Sequence, residues 1–300
     1  MKQGIALSVA SSGLFAVLYY YSTILPPVTG TEIFAWRVLL ALPFLALLIS
    51  RGRAWGEVVR CARRARTQWR YGAALVVSAA LLGVQLWLFT WAPLHRKALD
   101  VSLGYFLLPL CMVVVGRFFY GERLSRVQWL AVAAAAAGVV HEVLRLGTFS
   151  WATALVMFGY PPYFMLRRKI RLGSLAGLWC DMLLLAPPAL LVIATQQPSL
   201  WHQLATAPRL LGLIPLLGGL SSVALVCYLS ASRMLPLALF GILGYVEPVL
   251  LFWVAFLFLG EPMAADAWWT YIPIWVAVLL IAGEGALLWL REARRAGLRQ

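Results

Sequence analysis

The strongest constraint in this chain is the length of its apolar runs. Ten stretches of mostly apolar residues follow one another from end to end, near 4–25, 31–50, 71–92, 99–120, 127–145, 148–167, 174–195, 208–231, 235–259 and 266–290. About 20 such residues, each rising about 1.5 Å in a helix, cover a hydrocarbon core of about 30 Å. In lipid each backbone N–H and C=O must be satisfied without water, so continuous runs predict helices, whereas barrel strands would alternate polar and apolar residues. Short connections carrying Pro26-Pro27, Pro93, Gly121 and Gly173 separate the runs. Hydrophobic residues make up 63% of the chain, charged residues 12%, and the mean hydropathy is +0.85. A soluble domain carries about 25% charge, so a water-soluble fold is excluded. The first run has no small-residue cleavage site and reads as a retained helix rather than a removed signal.

The net charge of +14 would suit nucleic acid if it formed one face. Instead the basic residues lie in short clusters between the runs, so no nucleic-acid partner is expected. With the N-terminus in the cytoplasm, the inside segments hold nineteen Lys and Arg and the outside segments four (Arg96, Lys97, Arg145 and Arg209); Arg37 and Arg117 lie within spans. That bias predicts a multi-pass protein of the inner (plasma) membrane, with both termini cytoplasmic and an even helix count. The Arg-rich loop 51–70 is then a topology signal in contact with membrane lipids. The four cysteines and three histidines form no metal-ligand spacing, so neither metal nor cofactor is expected. No phosphate-binding glycine loop is present, which argues against ATP.

The two halves repeat. Gly104-Tyr105-Phe106-Leu107-Leu108-Pro109 leads to Gly121-Glu122, and Gly244-Tyr245-Val246-Glu247-Pro248 leads to Gly260-Glu261, with 12 residues from proline to glycine in both. Arg37 precedes Pro43 by six residues, as Asp181 precedes Pro187. Spans one to five therefore match spans six to ten. Because five is odd, the second copy enters the membrane the other way up. The expectation is an all-α polytopic membrane protein of ten transmembrane helices, built as two inverted five-helix repeats over 1–145 and 146–300. Such repeats recur in secondary transporters, with the site near the midplane where the halves meet. In the Gly-Glu pairs, Gly ends one helix, and Glu122 or Glu261 favours the start of the next.

The same residues carry a resemblance. The chain resembles the drug/metabolite transporter superfamily in its EamA family, and more closely the RarD-like branch. The first half carries it on Leu103-Gly104-Tyr105-Phe106 with Pro109, Gly121-Glu122-Arg123 and Gln128-Trp129-Leu130-Ala131-Val132; the second on Glu247-Pro248-Val249 and Gly260-Glu261. It covers nearly the whole chain. The resemblance implies ten helices, inverted repeats and transport, often outward, of amino acids, metabolites or drugs. Two segments depart from it. Phe15-Ala16 followed by Tyr19-Tyr20-Tyr21 stands where an aromatic-Trp-Gly segment is usual, and Glu247 precedes Pro248 where RarD-like chains tend to lack an acid.

A charge in hydrocarbon costs about 2.5–3.5 kcal/mol on insertion scales, so intramembrane charges are functional candidates. Arg37 and Asp181 lie at similar depths from opposite ends of spans two and seven, near the midplane. They pair with each other, or they grip opposite ends of a zwitterion in one central cavity. Glu247 lies mid-span before a proline that loosens its helix. Asp181 and Glu247 are the proton-coupling candidates, because an apolar span penalises their charged forms. Gln85, Trp91, Tyr105 and Tyr245 complete the substrate-binding set. Asp100 reads as a helix cap, His141-Glu142 as an outer headgroup-level pair, and Glu284 as a partner of an interfacial Arg. The combined reading is a proton-coupled exporter of small amphoteric, amino-acid-like metabolites, amino-acid-derived conjugates such as metallophores included. A multidrug or lipophilic-cation efflux transporter is the runner-up. A membrane-embedded enzyme would need clustered acids, a metal set or a nucleophile–base pair, and none is present. A channel would need a continuous polar stripe. Oligomeric state is left open.

Overall fold

The computed structural model describes residues 2–92, 98–147, 150–258, 266 and 268–297. Among the described residues there are thirteen helices and no strand. They are α1 (Lys2–Thr23), α2 (Gly30–Arg51), α3 (Trp55–Thr67), α4 (Trp69–Trp91), α5 (Ala98–Tyr120), α6 (Arg126–Leu146), α7 (Trp151–Ile170), α8 (Ser174–Thr195), α9 (Leu200–Thr206), α10 (Leu210–Met234), α11 (Leu237–Leu243), α12 (Val246–Phe258) and α13 (Trp268–Gly297). Each expected apolar stretch holds a helix, and the ninth holds two. Six helices are long and apolar enough to cross a membrane by length and composition: those over Lys2–Ser22, Gly30–Arg51, Trp69–Trp91, Arg126–Arg145, Ser174–Thr195 and Leu210–Met234. α7 is not among them; its last turn carries Arg167, Arg168 and Lys169.

The protein is an all-α polytopic membrane protein, and its burial pattern is that of a chain dissolved in lipid. Large apolar side chains face outward, among them Phe118, Trp69, Leu144 and Leu279 at 70–79% exposure, while Ser78, Thr153, Asp181, Ser221 and Thr270 are fully enclosed. A soluble protein of this size would not display so much apolar surface. In hydrocarbon the enclosed polar groups must find one another.

Helix ends follow local chemistry. Thr29 with Glu32 and Ser125 with Gln128 form reciprocal capping boxes at the starts of α2 and α6. Gly121 and Gly147 take φ +63° just beyond α5 and α6, a conformation that costs glycine no steric penalty. The main helix contacts pair α1 with α10, α4 with α7, α5 with α7, α1 with α12, α2 with α10, and α4 with α8, while α2 crosses α8, α5 crosses α11, and α6 lies along α13.

Several expectations are corrected. The stretch 235–259 is not one helix: it breaks between α11 and α12 at Gly244-Tyr245, where N–H groups of Tyr245 and Glu247 reach back only three residues, at 3.1 and 3.3 Å, and that of Gly244 is shared between the carbonyls three and four residues back, at 2.9 and 3.1 Å. The break sits where α5 crosses. A β-carbon on Gly241 would stand 2.5 Å from Met112 Cβ and 2.9 Å from the Pro109 carbonyl oxygen. The segment 51–70 is not a loop but contains the amphipathic helix α3. Its Val58 and Cys61 pack against Ile49, Leu75, Ile170 and Ala176, and Arg60, Arg63, Arg64 and Arg66 are exposed. Glu122 does not start α6. Its carboxylate accepts the Leu237 and Ala238 N–H groups at 2.7 and 2.8 Å, capping α11 of the other half. Glu284 accepts a bond from Gln128 at 3.1 Å, tying α13 to α6. Glu142, expected among headgroups, is buried and accepts from Arg145 and from Thr270 at 2.7 Å. Glu261 and Gly260 lie outside the described residues, as do His95, Arg96 and Lys97.

Candidate functional site

A cavity of about 70 Å³ lies at the middle of the bundle, bounded by α1, α2, α4, α5, α7, α10, α11 and α12. Two charged residues line it, Arg37 from α2 and Glu247 from α12. The rest of the wall is largely aromatic: Phe15, Phe89, Tyr105, Tyr160, Tyr228 and Phe240. Arg37 is 5% exposed and donates its Nε to Ser221 Oγ at 3.0 Å. Its guanidinium carbon lies 6.0 Å from the Phe89 ring centre. An arginine has five donors in a planar fork, so most of this fork is available to the cavity. The Glu247 carboxylate has no hydrogen-bond partner among the described residues; it sits in the first turn of α12, just past the break, followed by Pro248.

The aromatic wall is a connected set. Tyr105 lies 6.2 Å from Tyr160, and Tyr160 lies 6.1 Å from Phe164. Phe164, Tyr228 and Phe240 form a triangle with ring centres 5.7, 5.2 and 4.9 Å apart. Such rings offer apolar area, negative faces for cations and, in tyrosine, a hydroxyl.

Asp181 lies in a different place. It is fully buried in α8, does not line the cavity, and its two oxygens are held from two neighbouring helices. Ser78 of α4 donates to Oδ1 at 3.1 Å, Tyr163 of α7 donates to Oδ2 at 3.3 Å, and Arg167 of α7 approaches Oδ2 at 3.9 Å. So Arg37 and Asp181 are not partners. Arg167, which looks like one of a basic cluster in the sequence, meets Asp181 first.

The structure brings Arg37, Tyr105 and Glu247 together and leaves the other candidates apart. Gln85 is buried and donates to the Leu155 carbonyl at 2.7 Å. The Tyr245 hydroxyl donates to the Phe106 carbonyl at 3.0 Å, joining α5 to the α11–α12 break. Trp91 stacks on Trp87 at 4.9 Å and approaches Trp151 at 6.0 Å. Sequence reasoning missed Ser78, Tyr160, Tyr163, Arg167, Ser221 and Tyr228. One signal was there: Tyr160, Tyr163, Phe164 and Arg167 recur at i, i+3, i+4 and i+7, which places them on one face of α7.

Residues 2–141 match the EamA-like transporter family. The chain is 45% identical over 98% of its length, and 98% of the relative's, to the chloramphenicol-sensitive protein RarD of Pseudomonas aeruginosa. It is 39% identical to an uncharacterized transporter of Pasteurella multocida over 95% of this chain and 97% of that one. To the RarD protein of Escherichia coli it is 30% identical over 93% of each. A solved crystal structure, 17% identical, superposes with a TM-score of 0.69 over 93% of this chain and 97% of that one, which supports the fold alone. The chain belongs to the EamA-like transporter family, among relatives that include the RarD proteins, and is a transporter rather than an enzyme.

Proposed function

We propose that this protein is a secondary active, proton-coupled exporter of small amphoteric, amino-acid-like metabolites. The observation that carries the reading is one cavity lined by both a guanidinium and a carboxylate, Arg37 and Glu247, from opposite halves of the chain. An arginine fork suits a carboxylate. A carboxylate beside aromatic rings suits an ammonium. Tyr105 and Tyr160 flank the body of such a molecule. Glu247 is the leading candidate for the coupled proton, because its carboxyl adjoins the space a substrate enters; Asp181 is the second.

The reading includes ten transmembrane helices in two inverted repeats, 1–145 and 146–300, with both termini in the cytoplasm. The packing supports it. Pairing α1, α2, α4, α5 and α6 with α7, α8, α10, α11–α12 and α13 turns the α1–α10 contact into α7–α4, α5–α7 into α12–α1, and α2–α10 into α8–α4, each of which occurs. The helices α2 and α8, α5 and α11, and α6 and α13 pair across the implied axis. A cavity of about 70 Å³ has room for several waters, each needing about 10–15 Å³ on this measure, and not for a dozen-atom substrate. Loading therefore requires the halves to part, as alternating access demands.

A second reading rests on the aromatic wall. The relative from Pseudomonas aeruginosa carries chloramphenicol sensitivity in its name, and a lipophilic drug would use the rings and leave Arg37 idle. Uptake into inside-out vesicles under a pH gradient distinguishes the two. Zwitterionic amino acids should be accumulated, and Arg37→Ala should abolish this. Transport of lipophilic drugs alone, indifferent to Arg37→Ala, would replace the first reading with the second.

A further inference from the structure

A second space, 440 Å³, opens at the end of the bundle where α5, α7 and α10 finish. Arg167, Arg168, Arg171 and Arg233 line it with one carboxylate, Glu122. It is built on the same helices as the central cavity, further along. Arg167 lies seven residues beyond Tyr160, or about 10 Å at helical rise. Tyr228 and Phe240, in the wall of the central cavity, meet Phe164, which lies three residues before Arg167 on α7.

The charges here are not balanced. Four guanidinium groups face one carboxylate, a surplus of three, and Asp181 beside Arg167 and Glu57 near Arg233 lower it to one. Glu122 is already occupied by two α11 N–H groups and by Arg168 at 3.4 Å. Orientation bias accounts for exposed arginines among lipid headgroups. It does not account for arginines anchored inward on main-chain carbonyls. Arg168 donates to the Ser232 and Leu235 carbonyls at 3.2 and 2.8 Å, and Arg233 donates to the Leu172 carbonyl. These anchors orient the forks without neutralising them. Arg167 is 4% exposed, yet its Nη1 has no hydrogen-bond acceptor among the described residues. A buried charged donor without an acceptor is costly unless something fills the gap.

We propose that this space is a binding site for a phosphate-class oxyanion. A positive surplus on forks already oriented calls for an anion; a phosphate group brings one to about two negative charges and two or three acceptor oxygens, so it can engage several forks at once. Arginine forks match phosphate geometry. The phosphate belongs either to an anionic lipid headgroup or to a soluble ion. The site stands independently of the transport reading, because its test reads binding.

The experiment has two arms on the purified full-length protein. Calorimetric titration with sodium phosphate, against sodium chloride at matched ionic strength, reads the soluble ion. Native mass spectrometry after release from nanodiscs of phosphatidylglycerol and phosphatidylcholine reads retained lipid. The pocket variant is Arg171→Gln with Arg233→Gln. The control is Arg60→Gln with Arg63→Gln, which removes the same charge from the exposed face of α3. Binding in either arm, weakened at least about tenfold in the pocket variant and kept in the control, supports the site, and the responding arm identifies the source. Should the double variant not fold, Arg171→Gln alone carries the same readout, since that side chain is exposed and holds no main-chain anchor among the described bonds. No binding in either arm, or equal loss in pocket variant and control, overturns the proposal.

Discussion

Two Arg–acid constellations near the centre of the bundle differ in how far the acid is satisfied. Asp181 lies against Ser78, Tyr163 and Arg167, with both carboxylate oxygens engaged and away from the central cavity. Arg37 and Glu247 line open space; among the described residues the arginine has one hydrogen-bond partner, Ser221, and the acid has none. Counting charges does not distinguish the pairs. Saturation of the acid does: a carboxylate with both oxygens engaged joins helices, whereas one with free oxygens beside a cavity is able to hold something else. Buried polar networks that are fully satisfied rigidify a fold. The clasp at Asp181 thus joins α4, α7 and α8 around a site that it does not itself line.

The contrast breaks most visibly at Asp181. Removing one member of a buried ion pair typically costs about 3–5 kcal/mol. Asp181→Ala should therefore lower the unfolding midpoint in detergent more than any other change discussed here. An Asp181→Ala protein that unfolds like wild type but does not transport would reverse the assignment of the two pairs. Arg37→Ala should act oppositely. It should lower transport efficiency by tenfold or more, equivalent to about 1.4 kcal/mol, and cost only about 1 kcal/mol of stability from the lost Ser221 bond. Vesicle uptake and thermal unfolding of the same preparation read both quantities.

Glu247→Gln sharpens the comparison on coupling. Exchange of labelled for unlabelled substrate should persist, while accumulation driven by a pH gradient should disappear. Gradient-driven accumulation at the wild-type level would move the proton to another group. The smallest effects separate the two serines. Ser78→Ala should reduce stability by about 0.5–1.5 kcal/mol with KM unchanged, and Ser221→Ala should raise KM by a few-fold with stability nearly unchanged. Identical behaviour of the two variants would erase the distinction.

The helical, lipid-facing architecture was legible because run length and hydropathy act over about 20 residues and depend little on partners. Arg37, Tyr105 and Glu247, which line one cavity, were legible as candidates because a charge or motif inside an apolar run is conspicuous by itself. Arg167 was not. It sits in a basic cluster whose members look alike in sequence, and only the three-dimensional approach of α7 to α8 sets it apart. Glu122 shows the same limit. A Gly-Glu pair announces a helix start but not which helix, and the one it caps lies 115 residues away. Gln85 and Tyr245 looked like ligand contacts because both are polar in apolar runs; each instead satisfies a carbonyl on a neighbouring helix.

The break at Gly244-Tyr245 concentrates mechanical compliance. α11 is pinned at its start by Glu122 and along its side by Met112 and Pro109. α12 begins on the far side of a joint already bridged by short-span bonds, and Pro248 contributes no N–H to its first turn. Bending elsewhere in a helix stretches ladder bonds; here few are left to stretch. A small rotation at this knuckle displaces Glu247 while α11 stays in place, so the carboxylate rides on a lever whose fulcrum is a pair of residues.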